Sequence, residues 1–189
     1  LPEIGTGYES EYFLAGSSKY TRRWEHRVRK CRRQILACLQ FAPRAETLLD
    51  IGCSAGYVLA AATSLGLKAT GLDYSAFAVD LCRKRGFIAQ EGSLGALPFE
   101  DAAFDIVVLK AVLEHVPDPM SGLREAARVL KPGGIMLVVV PDGAYLKNRL
   151  FPRSGRNFRP DARGWQHHVY FKSQSFAKAC SLVSLSVAC

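Results

Sequence analysis

The stretch "LLDIGCSAGY", from Leu48 to Tyr57, joins a short apolar run to a loop that holds an acid and two glycines. The apolar run is typical of a buried β-strand, and the small residues after it indicate a tight turn into a helix. Gly52 permits the turn, and Gly56 lets the helix approach the strand while the loop stays free of side chains. Backbone N–H groups at such a helix start can bind an anionic group. One such loop is weak evidence, because many nucleotide-binding sheets carry something similar.

Strand-like and helix-like segments alternate along the rest of the chain. Five segments are predicted strands, namely "ETLLDIG", "KATGLD", "FIAQEG", "FDIVVLK" and "GGIMLVVVP", and "VSLSVAC" is a candidate for a sixth. Predicted helices cover residues 18–41, 55–65, 75–85, 119–130 and 173–182, and Ser75 is placed to cap the third of them. This alternation predicts an α/β fold with a parallel sheet and helices on both faces.

The composition excludes several classes of protein. The chain has 189 residues, enough for one domain with a proper core. Its longest clean apolar run, Ile135–Val140, is far below the ~18 residues of a membrane span. No basic-then-apolar leader opens the sequence, so we expect a cytoplasmic location. The six cysteines include no CxxC pair and no zinc-ligand spacing with histidine, so we expect reduced thiols and no metal site.

The net charge of +8 is concentrated in two segments. Lys19–Arg33 holds eight Lys or Arg residues and one Glu, whereas Lys147–Arg163 holds six and one Asp. The first segment is either a solvated helix face or a surface for an anionic partner: nucleic acid, a phosphorylated or nucleotide-linked substrate, or anionic lipid. No aromatic-interleaved RNA-binding motif accompanies it, so nucleic acid is not the favoured partner.

Two acids narrow the choice of ligand. Asp73 ends the second strand, where a carboxylate can accept both hydroxyls of a ribose, although an NAD enzyme would show the same feature. Asp50 stands before the first glycine, where it would repel a pyrophosphate but suits a ligand with an ammonium group. Adenosine together with a positive charge points to S-adenosylmethionine.

Taken in order, the motifs resemble those of class I S-adenosylmethionine-dependent methyltransferases (EC 2.1.1.-), a group that includes ubiquinone-biosynthesis and sugar or natural-product enzymes. The matching stretches within Thr47–Pro141 are "LLDIGCSAGY", "GLDYS", "EGSLGALPFEDAAFDIVVLKAVLEHVPDP" and "EAARVLKPGGIMLVVVP". "HHVYFKSQSF" is similar to a His-x-x-x-Phe stretch before the last helix of many relatives. The resemblance implies a Rossmann-like, doubly wound, mainly parallel sheet of six or seven strands. It also implies S-adenosyl-L-methionine as cofactor and S-adenosyl-L-homocysteine as product.

Three parts of the chain follow from this resemblance. Residues 1–43 form an N-terminal arm and basic helix that act as a lid, 44–141 form the cofactor-binding core, and 142–189 form a substrate-side insertion with a C-terminal helix and strand. Relatives end their sheet with an antiparallel seventh strand, for which this chain is too short. Truncation and an edge completed in another way, such as pairing in a homodimer, both stay open.

The resemblance also implies roles for individual residues. The cofactor candidates are Asp50, Gly52, Cys53 and Gly56 at the methionine end, Asp73 at the ribose, Tyr74, Ser93 and Leu94 at the adenine, and Lys110, Ala111 and His115 on the reactive side. Ser54 replaces the usual middle glycine, and Ser93 replaces a common acid. Each residue also has a structural interpretation; His115, for example, can simply pack under the loop.

The favoured function is in-line methyl transfer to a small-molecule acceptor, which the arginines of the second basic segment suggest is anionic. Oxygen is favoured as the acceptor atom on resemblance, and an alcohol would need a base, for which the candidates are His115, His167 and His168. Substrate contacts are predicted at Asp142, Tyr145, Arg149 and His168. Two alternatives stay open: an RNA or protein methyltransferase that docks through the basic helix, and a non-catalytic cofactor-binding module. "LKAV" stands where an NPPY-like tetrapeptide would follow the fourth strand, which argues against amino methylation of bases.

Overall fold

The computed structural model describes residues 23–141 and 171–186. Five α-helices lie in this part of the chain, namely α1 (Trp24–Phe41), α2 (Tyr57–Thr63), α3 (Ala76–Lys84), α4 (Pro119–Val129) and α5 (Ser173–Leu182). The strands are β1 (Thr47–Ile51), β2 (Lys68–Asp73), β3 (Ile88–Glu91), β4 (Phe104–Lys110) and β5 (Leu130–Val139), and a 3₁₀ helix spans Leu113–His115. The predicted alternation of strands and helices is confirmed.

The strands form one parallel sheet in the order β3-β2-β1-β4-β5. The chain builds one half of the sheet outward from β1 and then returns to build the other half from β4. The carboxyl ends of β1 and β4 therefore lie at the topological switch point, where open α/β sheets bind their ligands. The predicted doubly wound parallel sheet is confirmed.

The strand count is lower than the predicted six or seven, since five strands lie in the described ranges. The expected sixth strand fails at its start. Ser184 has a φ of +60°, and the N–H of Leu185 donates to the Cys180 carbonyl at 3.0 Å, so this segment closes α5 instead of pairing with the sheet. The rest of "VSLSVAC" lies outside the described residues.

Helices cover both faces of the sheet, as predicted. One apolar layer lies between the sheet and α1 and α2, and it includes Cys31, Ile35, Leu48, Val58, Ile106 and Val108. The opposite layer lies against α4 and α5, and it includes Leu49, Ile51, Val107, Leu109, Leu123 and Val129. Side chains alternate between the two layers along each central strand, which is why these strands are apolar on both faces.

Helix α1 is fastened to the sheet by its inner face. Cys31, Ile35 and Cys38 are buried there, and the ring of Trp24 lies 4.8 Å from that of Tyr57 on α2. The described part of α1 thus belongs to the packed fold. Residues 1–22 lie outside the described residues, and the division of the chain into lid, core and insertion stays a prediction.

Strand β5 begins earlier than predicted. Leu130 pairs with Phe104, but the next pair is Ile106 with Ile135, so most of the expected turn "LKPGG" forms a bulge inside the strand. Gly133 has a φ of +77° in this bulge, a conformation that favours glycine. Within residues 23–141 and 171–186, no helix has the length and apolar character needed to cross a membrane.

Candidate cofactor-binding site

The loop after β1 holds three left-handed residues at alternate positions. The φ angles are +75° at Gly52, +49° at Ser54 and +86° at Gly56. A Cβ on Gly52 would collide with Val112, and one on Gly56 would lie 3.0 Å from the ring of Phe87. Side chains are therefore excluded at both glycines, and the loop can offer its backbone to a ligand. Ser54 adopts a left-handed conformation that favours glycine, at the energetic cost of carrying a Cβ there.

Asp73 joins this loop to the end of β2. Its Oδ2 accepts a 2.8 Å hydrogen bond from the backbone N–H of Ser54, and its Oδ1 accepts a 3.0 Å bond from that of Ser75. The Ser75 hydroxyl caps α3 by accepting from the N–H of Ala78, as predicted. Because each carboxylate oxygen can accept more than one hydrogen bond, Asp73 is held rigidly and can still accept from ribose hydroxyls.

Asp50 is a buried acid at the mouth of β1. Loss of water raises its pKa from the ordinary value of 3.8 to about 8, with repulsion from Asp73 adding to the rise and attraction to Lys110 opposing it. Without a ligand, this site therefore binds a proton near neutral pH. A cationic group beside Asp50 would stabilise its ionised form. The acid thus fits a ligand with a positive charge near its methionine end.

The Lys110 side chain contacts helix α1, and its predicted place on the reactive side of the cofactor stays a prediction. Its Nζ donates to the Gln34 Oε1 at 3.3 Å and lies 3.2 Å from the Cys31 Sγ, both on α1. Its charge still acts on Asp50, because Asp50 pairs in register with Val108 and thus shares a sheet face with Lys110. Sequence reasoning missed Gln34 and Cys31, since no local signal indicates which helix covers this strand end.

The segment after β4 is bent sharply. Ala111 is exposed and has a φ of +55°, and its N–H donates to the Val139 carbonyl at 2.8 Å. The following 3₁₀ helix carries Glu114 and His115. His115 is half-buried, whereas Glu114 is buried and its Oε2 finds no hydrogen-bond partner within the described residues. Burial raises the pKa of Glu114. Glu114 was not among the predicted site residues, because nothing in the sequence separates it from a surface glutamate.

Two of the predicted cofactor residues turn their side chains into the core. The Cys53 Sγ lies 3.9 Å from the Cys82 Sγ, and this contact, followed by burial, raises the pKa of the Cys53 thiol. Leu94 packs into the apolar layer beside α4, where a Cβ on Gly122 would lie 2.6 Å from it. Any contact from either residue to a ligand would therefore come from its backbone.

Two further predicted residues, Tyr74 and Ser93, follow strands β2 and β3. Tyr74 follows Asp73 directly and is 44% exposed, so its ring is accessible at the surface. Ser93 forms an isolated antiparallel bridge with Ala96 in the loop after β3. The predicted residues His167, His168, Asp142, Tyr145 and Arg149 lie outside the described residues, and their roles stay predictions.

Comparison with known proteins identifies the same region. Residues 49–138 match the sequence model of the methyltransferase domain family. A probable S-adenosylmethionine-dependent methyltransferase of Mycolicibacterium smegmatis is 36% identical over 97 residues, which cover 50% of this chain and 38% of that protein. A ubiquinone biosynthesis O-methyltransferase of Albidiferax ferrireducens is 35% identical over 97 residues, covering 47% of this chain and 38% of that protein. The chain thus spans well under half the length of these two relatives.

A solved structure shares the fold. A S-adenosylmethionine-dependent methyltransferase of Thermotoga maritima, described as a possible histamine N-methyltransferase, superposes with a TM-score of 0.71 at 21% identity. The superposition covers 93% of this chain and 79% of the Thermotoga chain. Family and fold imply S-adenosylmethionine as the cofactor and S-adenosylhomocysteine as its product. Residues 49–138, slightly under half of the chain, thus resemble an S-adenosylmethionine-dependent methyltransferase domain in sequence, and the described sheet shares the fold of the Thermotoga protein.

Proposed function

We propose that this chain transfers the methyl group of S-adenosylmethionine to an oxygen atom of a small-molecule acceptor. The observation on which the proposal rests is the pair of buried carboxylates, Asp50 and Asp73, at the ends of neighbouring strands. The loop between them offers backbone and no bulky side chain at Gly52 and Gly56. An adenosyl ligand with a hydroxylated ribose at one end and a cation at the other matches this arrangement.

The protein has little covalent chemistry to perform in such a reaction. When bound, the cofactor supplies a methyl carbon that is already activated by an adjacent sulfonium. The chain has to align the acceptor and exclude water. Asp73 would hold the ribose and Asp50 would compensate the positive charge. The exposed backbone at Ala111, beside the switch point, would border the acceptor.

The choice of oxygen follows the ubiquinone biosynthesis relative, which is named an O-methyltransferase. The similar Thermotoga structure is described as a possible histamine N-methyltransferase, so these two proteins point to different acceptor atoms. An alcohol or phenol acceptor must lose a proton. His115 lies four residues after Ala111, is half-buried and is the described histidine nearest in sequence to the end of β4. An imidazole titrates near neutral pH and suits this task.

Calorimetric titration with S-adenosylmethionine and S-adenosylhomocysteine tests the cofactor site. Asp73→Asn should weaken both ligands about 10-fold to 100-fold, as expected for the loss of charge-assisted hydrogen bonds. Asp80→Asn is a matched control, because Asp80 is exposed on the neighbouring helix α3. Thermal denaturation of both variants separates a local defect from unfolding. Binding that is equal in the two variants would contradict the proposed site.

Transfer of a labelled methyl group tests the reaction. The acceptor panel should contain phenols and alcohols, amines, thiols, peptides and RNA. Product from hydroxyl acceptors alone, reduced in His115→Asn but with cofactor affinity retained, is the expected result. Product from amines or from RNA alone would overturn the choice of a small-molecule oxygen. Cofactor binding without transfer to any acceptor would indicate a non-catalytic module.

A further inference from the structure

The outer face of α1 carries a cluster of positive charges, which we call the basic patch. It consists of Arg29, Lys30, Arg32 and Arg33. All four side chains are exposed. None of them forms an ion pair with another residue in the ranges 23–141 and 171–186. The helix contains a single acid, Glu25, in its first turn.

The orientation of the basic patch is fixed because the opposite face of α1 packs against the rest of the fold. Cys31 and Ile35 are buried in the apolar layer, and Gln34 accepts a hydrogen bond from Lys110. The helix that carries the four cations is therefore held with its basic face outward. At 100° per residue they fan over about 160° of the helix surface, away from the buried residues.

The spacing of the four residues places like charges close together on the helix surface. Arg29 and Arg33 are four residues apart, and Arg29–Arg32 and Lys30–Arg33 are three apart, so each pair lies about 5–6 Å apart on the helix surface. Like charges at these spacings destabilise a helix. Within residues 23–141 and 171–186, Glu25 is the acid of this helix, four residues before Arg29, and it forms no ion pair with any of the four cations. A polyanion bound along the outer face would relieve the repulsion between them.

Although the sequence alone does not favour nucleic acid as the partner, we propose that the basic patch docks the phosphate backbone of duplex DNA. A fan of about 160° cannot converge on one phosphate, which disfavours a small phosphorylated ligand. It suits a helix that enters a groove with phosphates on both sides, and the major groove of duplex DNA, about 12 Å wide, admits an α-helix. Three of the four cations are arginines, whose guanidinium groups bind phosphate oxygens in a bidentate manner.

A bilayer fits the patch less well. The flat surface of a bilayer would contact only the cations in the middle of the arc of about 160°. No exposed apolar side chain lies among residues 29–33, although Leu36, one turn beyond Arg32 and Arg33 on the same face, is 38% exposed and Phe41 lies at the far end of α1. The docking surface does not depend on the proposed methyl transfer, and its failure would leave the cofactor site untouched.

Fluorescence anisotropy with labelled duplex DNA, duplex RNA, single strands and vesicles of anionic lipid tests the proposal across a salt series. The patch variant carries Arg29→Gln, Lys30→Gln, Arg32→Gln and Arg33→Gln. The control variant removes the same charge from scattered exposed sites: Lys84→Gln, Arg124→Gln, Lys172→Gln and Lys178→Gln. Affinity for S-adenosylhomocysteine, measured alongside, should be the same in both variants and confirms that the core is intact.

The native chain should bind duplex DNA with an affinity that falls steeply as salt rises. The patch variant should lose at least about tenfold in affinity near 100 mM salt, and its slope of log K against log salt should flatten by about 0.9 for each lost phosphate contact. The control variant should keep most of the affinity and the slope. Three results would each overturn the proposal: no binding of duplex DNA at about 50 mM salt, equal losses in the two variants, or patch-dependent binding to vesicles without binding to duplex DNA.

Discussion

At the scale of single residues, Asp50 stands out because its burial destabilises the fold while preparing it for a cation. An acid whose pKa is raised on folding binds more protons in the folded state than in the unfolded state. The free energy of unfolding therefore falls as the pH rises from the ordinary value of 3.8 through the folded value of about 8. Above about pH 8, the full free-energy cost of burying the ionised Asp50 carboxylate is present.

Asp50→Asn should separate these two effects. The variant should unfold at a higher temperature than the native chain at about pH 9 and should lose most of that advantage near pH 4, because the cost of ionising the buried carboxyl builds up between pH 3.8 and about 8. Its affinity for S-adenosylmethionine should fall, since a neutral amide cannot compensate a cation. Thermal denaturation at the two pH values and calorimetry test both parts. A variant that binds as tightly as the native chain would show that Asp50 does not face the ligand's charge.

Ser54 gives a second residue-level prediction. Its φ of +49° places a residue with a Cβ in the left-handed region, which costs about 1 kcal/mol or more relative to glycine. Glycine loses more chain entropy on folding, which offsets part of this gain. Ser54→Gly should therefore raise the free energy of unfolding by up to about 1 kcal/mol. Ser54→Val should lower it by more than that, and denaturant unfolding of the two variants decides. Equal effects would mean that the backbone there is not constrained.

The sequence predicts the positions of some site residues but not the contacts of others. Asp50 and Asp73 lie at the carboxyl ends of predicted strands, and parallel strands end at one edge, so their proximity follows from the pattern. Lys110 is the last residue of β4, but its four-carbon side chain reaches whichever helix covers that end. The contact with Gln34 joins residues 76 positions apart in the sequence, and no local pattern encodes it.

At the scale of elements, one side chain fastens the amino ends of β1 and β4. The Asp105 Oδ2 accepts hydrogen bonds from the N–H of Glu46, from the N–H of Thr47 and from the Thr47 hydroxyl at 3.0, 2.9 and 2.7 Å. Its Oδ1 accepts from Lys131 in the bulge of β5. Partial burial alone would raise the pKa of Asp105, but the bonds from Lys131, Thr47 and Glu46 outweigh it and hold the pKa well below its usual range.

Asp105→Asn should therefore destabilise the sheet at neutral pH. A depressed pKa adds stability that is present above the unfolded value of 3.8 and is lost as the pH falls below it. The loss should be about 2–3 kcal/mol near pH 7, the range for charged hydrogen bonds, and should shrink towards pH 2. Urea unfolding at several pH values measures it. The exposed Asp80→Asn variant is the control, and a pH-independent loss in Asp105→Asn would point to packing instead of charge.

The predicted and observed bounds agree for some strands and differ for others. β2 and β4 have the predicted bounds because their apolar runs end at polar residues and turns. "VSLSVAC" has the alternation of a strand, yet Val183 and Leu185 use it to pack beside α5 on the layer formed with α4. Alternating apolar residues specify a buried face and do not say whether a neighbouring strand has a free edge there. The sixth strand was therefore predicted wrongly at its start.

At the scale of the whole molecule, α1 and the cofactor site share one face of the sheet. Leu48 packs against the α1 layer, and Asp50, two residues further along β1, points to the same side. Lys110 bridges the two by donating to Gln34 while its charge acts on Asp50. A local opening that lifts α1 from the sheet would break the bond between Lys110 and Gln34 and change the position of the positive charge that acts on Asp50.

Cofactor binding should therefore suppress the opening of α1, although α1 has no part in the loop after β1. A ligand that binds only the closed form stabilises it by RT ln(1 + [L]/Kd), so a hundredfold excess over Kd should slow exchange about 100-fold. Hydrogen exchange followed by mass spectrometry, with and without S-adenosylhomocysteine, tests this for peptides within Trp24–Phe41. Gln34→Leu should reduce the protection, whereas Gln40→Leu, at an exposed position of the same helix, should not. Protection confined to the loops after β1, β2 and β3 would show that α1 opens independently of cofactor binding. The contact between Lys110 and α1 would then not couple this helix to the site.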